Sequence, residues 1–359
     1  MEREVIITAP SLDPSKNVSG VSAVAKFIID NNRKCHYRHF EMGKKDDEKG
    51  GVVRLLTLVK AFFDWRRELR NRPTAIVHYN FPLSPRAIFR DSLFIGEAIR
   101  RNQTVLVHIH GGLYLTAKRI PVVQGKILKW VFAQDVPFVV LSEMEKEMVT
   151  KRFGAKRVTV LPNCVELPVN VNVNVNGNGE PLIIGYLGRI EANKGMAELL
   201  AACKRLRDEG VNFRMVMAGM EQGTEAFVNQ FEKALGARFK YVGVVSGKAK
   251  SDFFNEIDVF AMPTYFEGLP IALLECMSYG VVPVVTPVGS IPQVVTDGKD
   301  GILVGVKEVE PLVDAIRRLA ADREQTLNMG REAKETIFSH FSPKHYVEQL
   351  NQVYESLTC

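Results

Sequence analysis

Short runs rich in β-branched and aromatic residues recur along this chain, each parted from the next by a stretch of helical period. That alternation restricts the fold to parallel sheets flanked by helices. In the first half the strand-like runs are Val5-Ile6-Ile7-Thr8, residues 35–40, Ala75-Ile76-Val77, and residues 104–109, 138–141 and 158–161. Helical patterns open at Val21, after a polar loop at 10–20, and recur at 84–101, 122–134 and 142–152. The alternation breaks at 163–180, where Val and Asn alternate and give way to Gly177-Asn178-Gly179, a stretch that reads as an interdomain linker. It resumes at Pro181, with strand-like runs at 182–187, 213–218, 239–242, 259–262, 282–285 and 302–304. Helical patterns follow at 314–321 and 331–338, and a last one ends near Leu357.

A chain of 359 residues, 46% hydrophobic and 25% charged, has ample material for two cores. No run approaches the length of a membrane span, and the N-terminus leads into a strand rather than a leader, so a cytoplasmic protein is expected. The five cysteines are scattered without metal-ligand spacing and read as structural thiols. The net charge of +6 hides an asymmetry: residues 1–165 carry 28 Lys and Arg against 16 Asp and Glu, and the remainder 19 against 25. A basic half favours an anionic surface or acceptor. No recognition motif or basic-aromatic stripe accompanies the charge, so nucleic acid is not expected as a partner. Residues 52–72 combine an apolar face (Val52, Leu55, Leu56, Val59, Phe62, Phe63) with six Lys and Arg. Such a helix can lie on an anionic membrane, and a core-packed helix with a solvated cationic end explains the pattern as well.

The segment Tyr265-Phe266-Glu267-Gly268-Leu269-Pro270-Ile271-Ala272-Leu273-Leu274-Glu275 sets two glutamates eight positions apart, directly after a strand-like run that ends at Pro263. Proline cannot continue the ladder, Gly268 permits a tight turn, and Pro270 suits the first turn of a helix. Glu267 is therefore expected on a loop at the carboxyl end of a strand, and Glu275 just over a turn into the next helix. Ligands of open parallel sheets bind at that edge, where a helix N-terminus favours an anion. Upstream, the strand at 182–187 runs into Gly188-Arg189 and then Asn193-Lys194-Gly195. Arg can grip phosphate oxygens bidentately, and Lys adds a point charge. In the first half His108-Ile109-His110-Gly111-Gly112 sits at another strand end, with His108 read as packed and His110 as ligand-facing. Gly20 opens a helix where backbone amides can approach a phosphate.

Taken together these residues resemble the retaining glycosyltransferases of family 4, the "group 1" family of GT-B architecture. The resemblance covers nearly the whole chain. It rests on Glu267 and Glu275 with Gly268, Leu269 and Leu274, on Gly188-Arg189 and Lys194-Gly195, on Val160-Leu161-Pro162-Asn163, and on His110-Gly111. It implies two Rossmann-like, doubly wound parallel-sheet domains facing across a cleft. The expected boundaries are 1–165 for an N-terminal acceptor-binding domain, 166–180 for a linker, 181–342 for a C-terminal nucleotide-sugar-binding domain, and 343–359 for a helix crossing back. The implied roles are a diphosphate clamp for Arg189 and Lys194, a ribose contact for Glu275, and a donor-sugar contact for Glu267 beside the Gly268, Leu269 and Pro270 backbone. Gly188 belongs to the donor loop, Gly20 would meet the diphosphate, and His110 would approach the transferred sugar. Ser19-Gly20 stands where the family often has two glycines, and Cys164 follows Asn163 where a glycine is usual.

The activity so implied is transfer of a hexosyl-type unit, with retention, from a UDP- or GDP-linked sugar to a glycan or lipid-linked acceptor in cell-surface polysaccharide or lipopolysaccharide biosynthesis. No Asp-x-Asp pair follows a strand, so neither a catalytic metal nor a cofactor is expected. The enzyme would be cytoplasmic, with the basic helix offering a peripheral contact on the inner membrane face. A GT-B epimerase or phosphorylase, or an inactive nucleotide-sugar-binding subunit, would share the architecture. A nicotinamide dehydrogenase is disfavoured because no G-x-G-x-x-G follows a strand.

Overall fold

The computed structural model describes residues 3–13, 16–17, 19–43, 52–117, 119–168, 180–223 and 226–357. Most of the expected linker, at 169–179, lies outside the described residues. The chain divides into two compact units, Met1–Asn163 with Lys344–Cys359, and Cys164–Pro343.

The first unit is built on strands β1 (Arg3–Ala9), β2 (Cys35–Glu41), β3 (Ile76–Phe81), β4 (Thr104–Ile109), β5 (Phe138–Val140) and β6 (Val158–Val160). They form one sheet in the order β2-β1-β3-β4-β5-β6, parallel throughout. The connecting helices are α1 (Gly20–Asn31), α2 (Val52–Asn71), α3 (Pro85–Arg100), α4 (Leu113–Thr116), α5 (Val122–Phe132) and α6 (Glu143–Phe153). The strand order reverses between β1 and β3, so right-handed crossovers place helices on opposite faces of the sheet. Trp65, Tyr79, Phe94, Phe132 and Phe138 fill one side of the core, with the Trp65 indole N–H donating to the Phe94 carbonyl at 3.0 Å.

Two features of this unit differ from the sequence reading. Strand β3 runs on to Phe81, past the polar His78 and Asn80, because both side chains find partners inside the sheet. On α2, among the side chains described, Trp65 and Leu69 are the buried ones, and both lie outside the apolar face read from the sequence, of which Leu56, Val59 and Phe63 are exposed.

The second unit repeats the plan with β7 (Leu182–Leu187), β8 (Phe213–Ala218), β9 (Phe239–Tyr241), β10 (Val259–Met262), β11 (Val282–Val285) and β12 (Ile302–Leu303). The order β12-β11-β10-β7-β8-β9 is again all parallel. Its helices are α7 (Met196–Asp208), α8 (Phe227–Leu235), α9 (Gly247–Glu256), α10 (Ile271–Ser278), α11 (Val309–Ala321) and α12 (Arg323–His340). The sequence pattern gave no sign of α8 or α9. Strands β7 and β10 are neighbours although two strands and three helices part them in sequence, which makes the gap beyond their carboxyl ends the switch point where doubly wound sheets bind ligands. A buried ion pair pins α12 to this sheet. The Arg323 guanidinium donates to Asp258 at 2.9 Å, and the same carboxylate oxygen accepts from the Ile183 amide at 2.8 Å.

The last helix, α13 (Pro343–Glu355), packs on the first unit. Asn351 and Asn32 exchange side-chain amide hydrogen bonds of 3.0 and 3.2 Å, Tyr346 meets the Phe27 ring edge-on, and the Tyr354 hydroxyl lies 2.6 Å from His78 Nδ1.

Candidate functional site

The loop of residues 263–270 leaves β10 at its carboxyl end and enters α10 at Ile271. Two backbone hydrogen bonds fix it. The Tyr265 amide donates to the Asn193 carbonyl at 2.9 Å, and the Ser290 amide to the Gly268 carbonyl at 2.8 Å. Glycine is required on both neighbouring loops. Gly195 sits at φ +72°, where an added Cβ would meet the Pro263 carbonyl oxygen at 2.0 Å, and Gly289 at φ +57°, where it would meet the Glu267 carbonyl oxygen at 2.1 Å. The chain therefore threads the loop between two close backbone approaches.

This threading brings Lys194, at the end of a short 3₁₀ turn after β7, against Glu267. Lys194 Nζ lies 2.6 Å from Glu267 Oε1, with both side chains about four-fifths buried (20% and 17% exposed). The loop of Gly188 and Arg189 folds back over Tyr186, whose hydroxyl donates to the Arg189 carbonyl at 2.6 Å. Burial pushes the Tyr186 phenol well above its ordinary range, and the negative charges of Glu267 and Glu191 push it further. The glutamate and the Arg189 loop thus share one electrostatic neighbourhood. Tyr265 is held by a hydrogen bond of 2.7 Å to Glu198 of α7, and the Lys307 ammonium lies 4.9 Å from its ring centre.

Glu275 points from α10 to Lys250 of α9, with which it forms an ion pair. Burial raises its carboxyl above the usual range, Lys250 pulls the other way, and Glu166 adds to the rise. Leu269 is buried, and Gly268 and Pro270 flank it half-buried. The sequence reading missed Lys250, Gly289, Ser290 and Tyr186. Gly289 follows a strand and could have been found on that ground, whereas nothing in the spacing of Lys250 ties it to a glutamate 25 positions on.

In the first unit, His110 follows β4 and its Nε2 lies 2.6 Å from Asn80 Oδ1. The Asn80 amide nitrogen donates to the Thr8 carbonyl at 2.7 Å, which fixes its oxygen toward the histidine. An oxygen there can only accept, so His110 carries its proton on Nε2 and keeps a lone pair on Nδ1. Burial holds His110 down at about 3. His108 is fully buried, as expected, with its Nδ1 3.0 Å from His78 Nε2. Gly20 is the first residue of α1, exposed, and an added Cβ there would meet nothing within 4 Å. Nothing in the fold itself requires glycine at that position. Among the described residues no group of three His, Cys, Asp or Glu is arranged to hold a metal ion.

Residues 172–336 match the family model described as glycosyl transferases group 1, which falls on the second unit. The chain is 27% identical over 189 residues to alpha-maltose-1-phosphate synthase of Mycolicibacterium smegmatis, covering 49% of this chain and 48% of that protein. It is 22% identical over 273 residues to GDP-mannose:cellobiosyl-diphosphopolyprenol alpha-mannosyltransferase of Xanthomonas oryzae pv. oryzae, covering 72% and 69%. The first match spans about half the length of that relative. Among solved structures, Anabaena Alr3699/HepE in complex with UDP and glucose superposes with a TM-score of 0.76 at 14% identity, covering 99% of this chain and 100% of that one. Two all-parallel six-stranded units with these neighbours make the fold GT-B.

Proposed function

We propose that this chain, a relative of the glycosyl transferases group 1, moves a sugar with retention from a nucleotide-diphosphate sugar to a glycan or lipid-linked acceptor in cell-surface polysaccharide biosynthesis. The observation that carries the proposal is the Lys194–Glu267 pair at the β7/β10 switch point, beside the loop of Arg189. Cleaving the bond between the anomeric carbon and the diphosphate leaves negative charge on the leaving group and positive character on the sugar. Lys194 and Arg189 would stabilise the first, and the Glu267 carboxylate would hold the sugar hydroxyls, with charge placed in advance and largely screened from water. Glu275, in α10, would accept hydrogen bonds from the ribose hydroxyls, with Lys250 favouring its ionised form against the effect of burial.

The domain roles belong to the same proposal: donor binding in the second unit, acceptor binding in the first, and the linker role for 166–180. Gly20 would let the α1 amides approach phosphate, and His110, neutral and with a lone pair on Nδ1, would accept a hydrogen bond from a sugar hydroxyl. The leaving-group charge would be met by Lys194, Arg189 and the positive end of α10, so catalysis would be metal-independent. The named partners of the relatives support a UDP- or GDP-linked donor and a polyprenol-linked acceptor. An enzyme on such an acceptor would work as a peripheral protein at the inner membrane face.

The deciding experiment incubates the protein with UDP- and GDP-sugars in the presence of chelator, with and without a polyprenyl-diphosphate acceptor, and follows products by mass spectrometry and anomeric configuration by NMR. An α-linked product from an α-linked donor is expected. Epimerised donor without transfer, or no turnover of any donor, would overturn the proposal.

A further inference from the structure

Three neighbouring helices of the first unit leave apolar side chains in water along adjoining stripes. On α2, Phe62 turns to α3 and meets Phe94 at 5.3 Å between ring centres, while Trp65 and Leu69 enter the core. Leu56, Val59 and Phe63 recur at helical spacing on the outward side, 65%, 48% and 60% exposed. On α3, Ile95 and Ala98 are buried, and Phe89 and Leu93, four residues apart, face out, Leu93 at 66% exposure. Trp130 of α5 rests on Gly96 of α3, where an added Cβ would meet its ring at 2.8 Å, yet it remains 46% exposed. The α2 and α5 contacts flank the outer stripe of α3 on either side, so the three stripes share one face.

The charge around this face is one-sided. The three helices hold ten Lys and Arg against four Asp and Glu. Two of those acids, Asp91 and Glu97, are buried and paired with Arg90 and with Arg66, Arg100 and Arg101. Lys60, Arg70, Arg86, Lys126 and Lys129 are exposed on the same helices. A second copy of the chain would bring like charges together across a self-complementary contact, which disfavours it.

We propose that this three-helix face docks on the surface of an anionic lipid bilayer. Leu56, Phe63 and Leu93 would enter the headgroup boundary, and Trp130 would sit at its level, as amphipathic rings do. The lysines and arginines would meet lipid phosphate, each strengthening binding several-fold at low salt. The sequence offered α2 alone for this role; the structure adds α3 and α5 and shows which α2 residues stay outside the core. The inference rests on the peripheral placement proposed above and gives it residues, and its test, which contains no donor or acceptor, can fail while the transferase reading stands.

The test is co-sedimentation with phosphatidylcholine vesicles with and without phosphatidylglycerol. The protein should pellet with the anionic vesicles, stay in solution with the neutral ones, and be released by high salt. Trp65 is fully buried and contributes a constant emission, so the change on adding lipid reports on Trp130, whose emission should shift to the blue and be quenched by brominated lipid. L56S/F63S/L93S, at three exposed positions, should keep the wild-type melting temperature and lose about tenfold or more in vesicle affinity. K60E/R86E/K129E should do the same. Wild-type protein left in the supernatant at low salt would overturn the proposal, as would unchanged binding by either variant. Lipid-free self-association abolished by L56S/F63S/L93S would overturn it in favour of a second copy.

Discussion

Lys194 is asked to serve two partners. In the structure its ammonium sits on Glu267, and in the proposed reaction it also meets the leaving diphosphate, whose charge grows only as the bond breaks. The carboxylate therefore weakens the hold of Lys194 on a diphosphate while serving the sugar. Glu267→Gln should lower kcat on the order of 100-fold, as loss of a contact made mainly in the transition state does, yet bind free nucleoside diphosphate more tightly than wild type. Steady-state kinetics with calorimetric titration reads both, and wild-type kcat in a folded Glu267→Gln protein would remove Glu267 from the mechanism. Glu275 differs because a ribose contact is nearly the same in ground and transition states. Glu275→Gln should raise the donor KM more than it lowers kcat. Lys250→Met should move KM in the same direction, because the raised Glu275 carboxyl then loses the cation that favours its ionised form.

The elements that carry these residues are held by backbone contacts, and glycines separate architectural from functional demands. Gly195→Ala must both adopt a left-handed conformation and displace the Pro263 carbonyl. It should cost about 2 kcal/mol or more of stability, read as a fall in denaturation midpoint, together with activity. Gly20→Ala meets open space, so its melting temperature should stay unchanged while the donor KM rises; an unchanged KM would leave Gly20 without a role in donor binding. The same distinction marks what could be read in advance. The placement of Glu267 and Glu275 was legible because a strand ending in proline, a glycine turn and a proline-started helix are local signals. The full length of β3 was not, since His78 and Asn80 are tolerated in a buried strand only through His108, Tyr354 and Thr8, partners that distant segments supply. The Lys250 contact was hidden for the same reason, α9 having left no pattern of its own. On α2 an apolar stripe was visible, but which part of it faces protein is decided by α3.

For the molecule as a whole, buried titratable groups of the first unit set opposing pH dependences. His78 and His108 are fully buried and held by burial far below the ordinary value, His78 at about 3, and the half-buried His110 is lowered in the same direction. In the unfolded chain each takes up a proton below about 6.5, so the unfolded state gains protons that the folded state refuses. Stability is then fully present above that pH and is lost as the pH falls, by up to about 1.4 kcal/mol per pH unit for each histidine. Glu145, fully buried and accepting from the Leu141 amide at 2.8 Å, is pushed up to about 7. It has the reverse sign: the folded state holds a proton that the unfolded chain releases above about 4.3, so its contribution falls as the pH rises toward 7. Asp91, fully buried beside Arg90, is raised by burial as well and shares this sign, yet three histidines outweigh the two carboxyls between about pH 4.5 and 6.5, and net stability of this unit should climb through that window. Glu145→Gln keeps an oxygen for the Leu141 amide and removes its own opposing slope. The variant should match wild type near pH 4.5, climb more steeply, and exceed it at pH 8 by on the order of 4 kcal/mol. Hydrogen exchange of β3 and β4 amides across this range follows the first unit separately from the second. A wild-type profile flat from pH 5 to 6.5 would show that the histidines are not kept neutral by burial, and equal wild-type and Glu145→Gln stability at pH 8 would show the same of the glutamate's raised carboxyl.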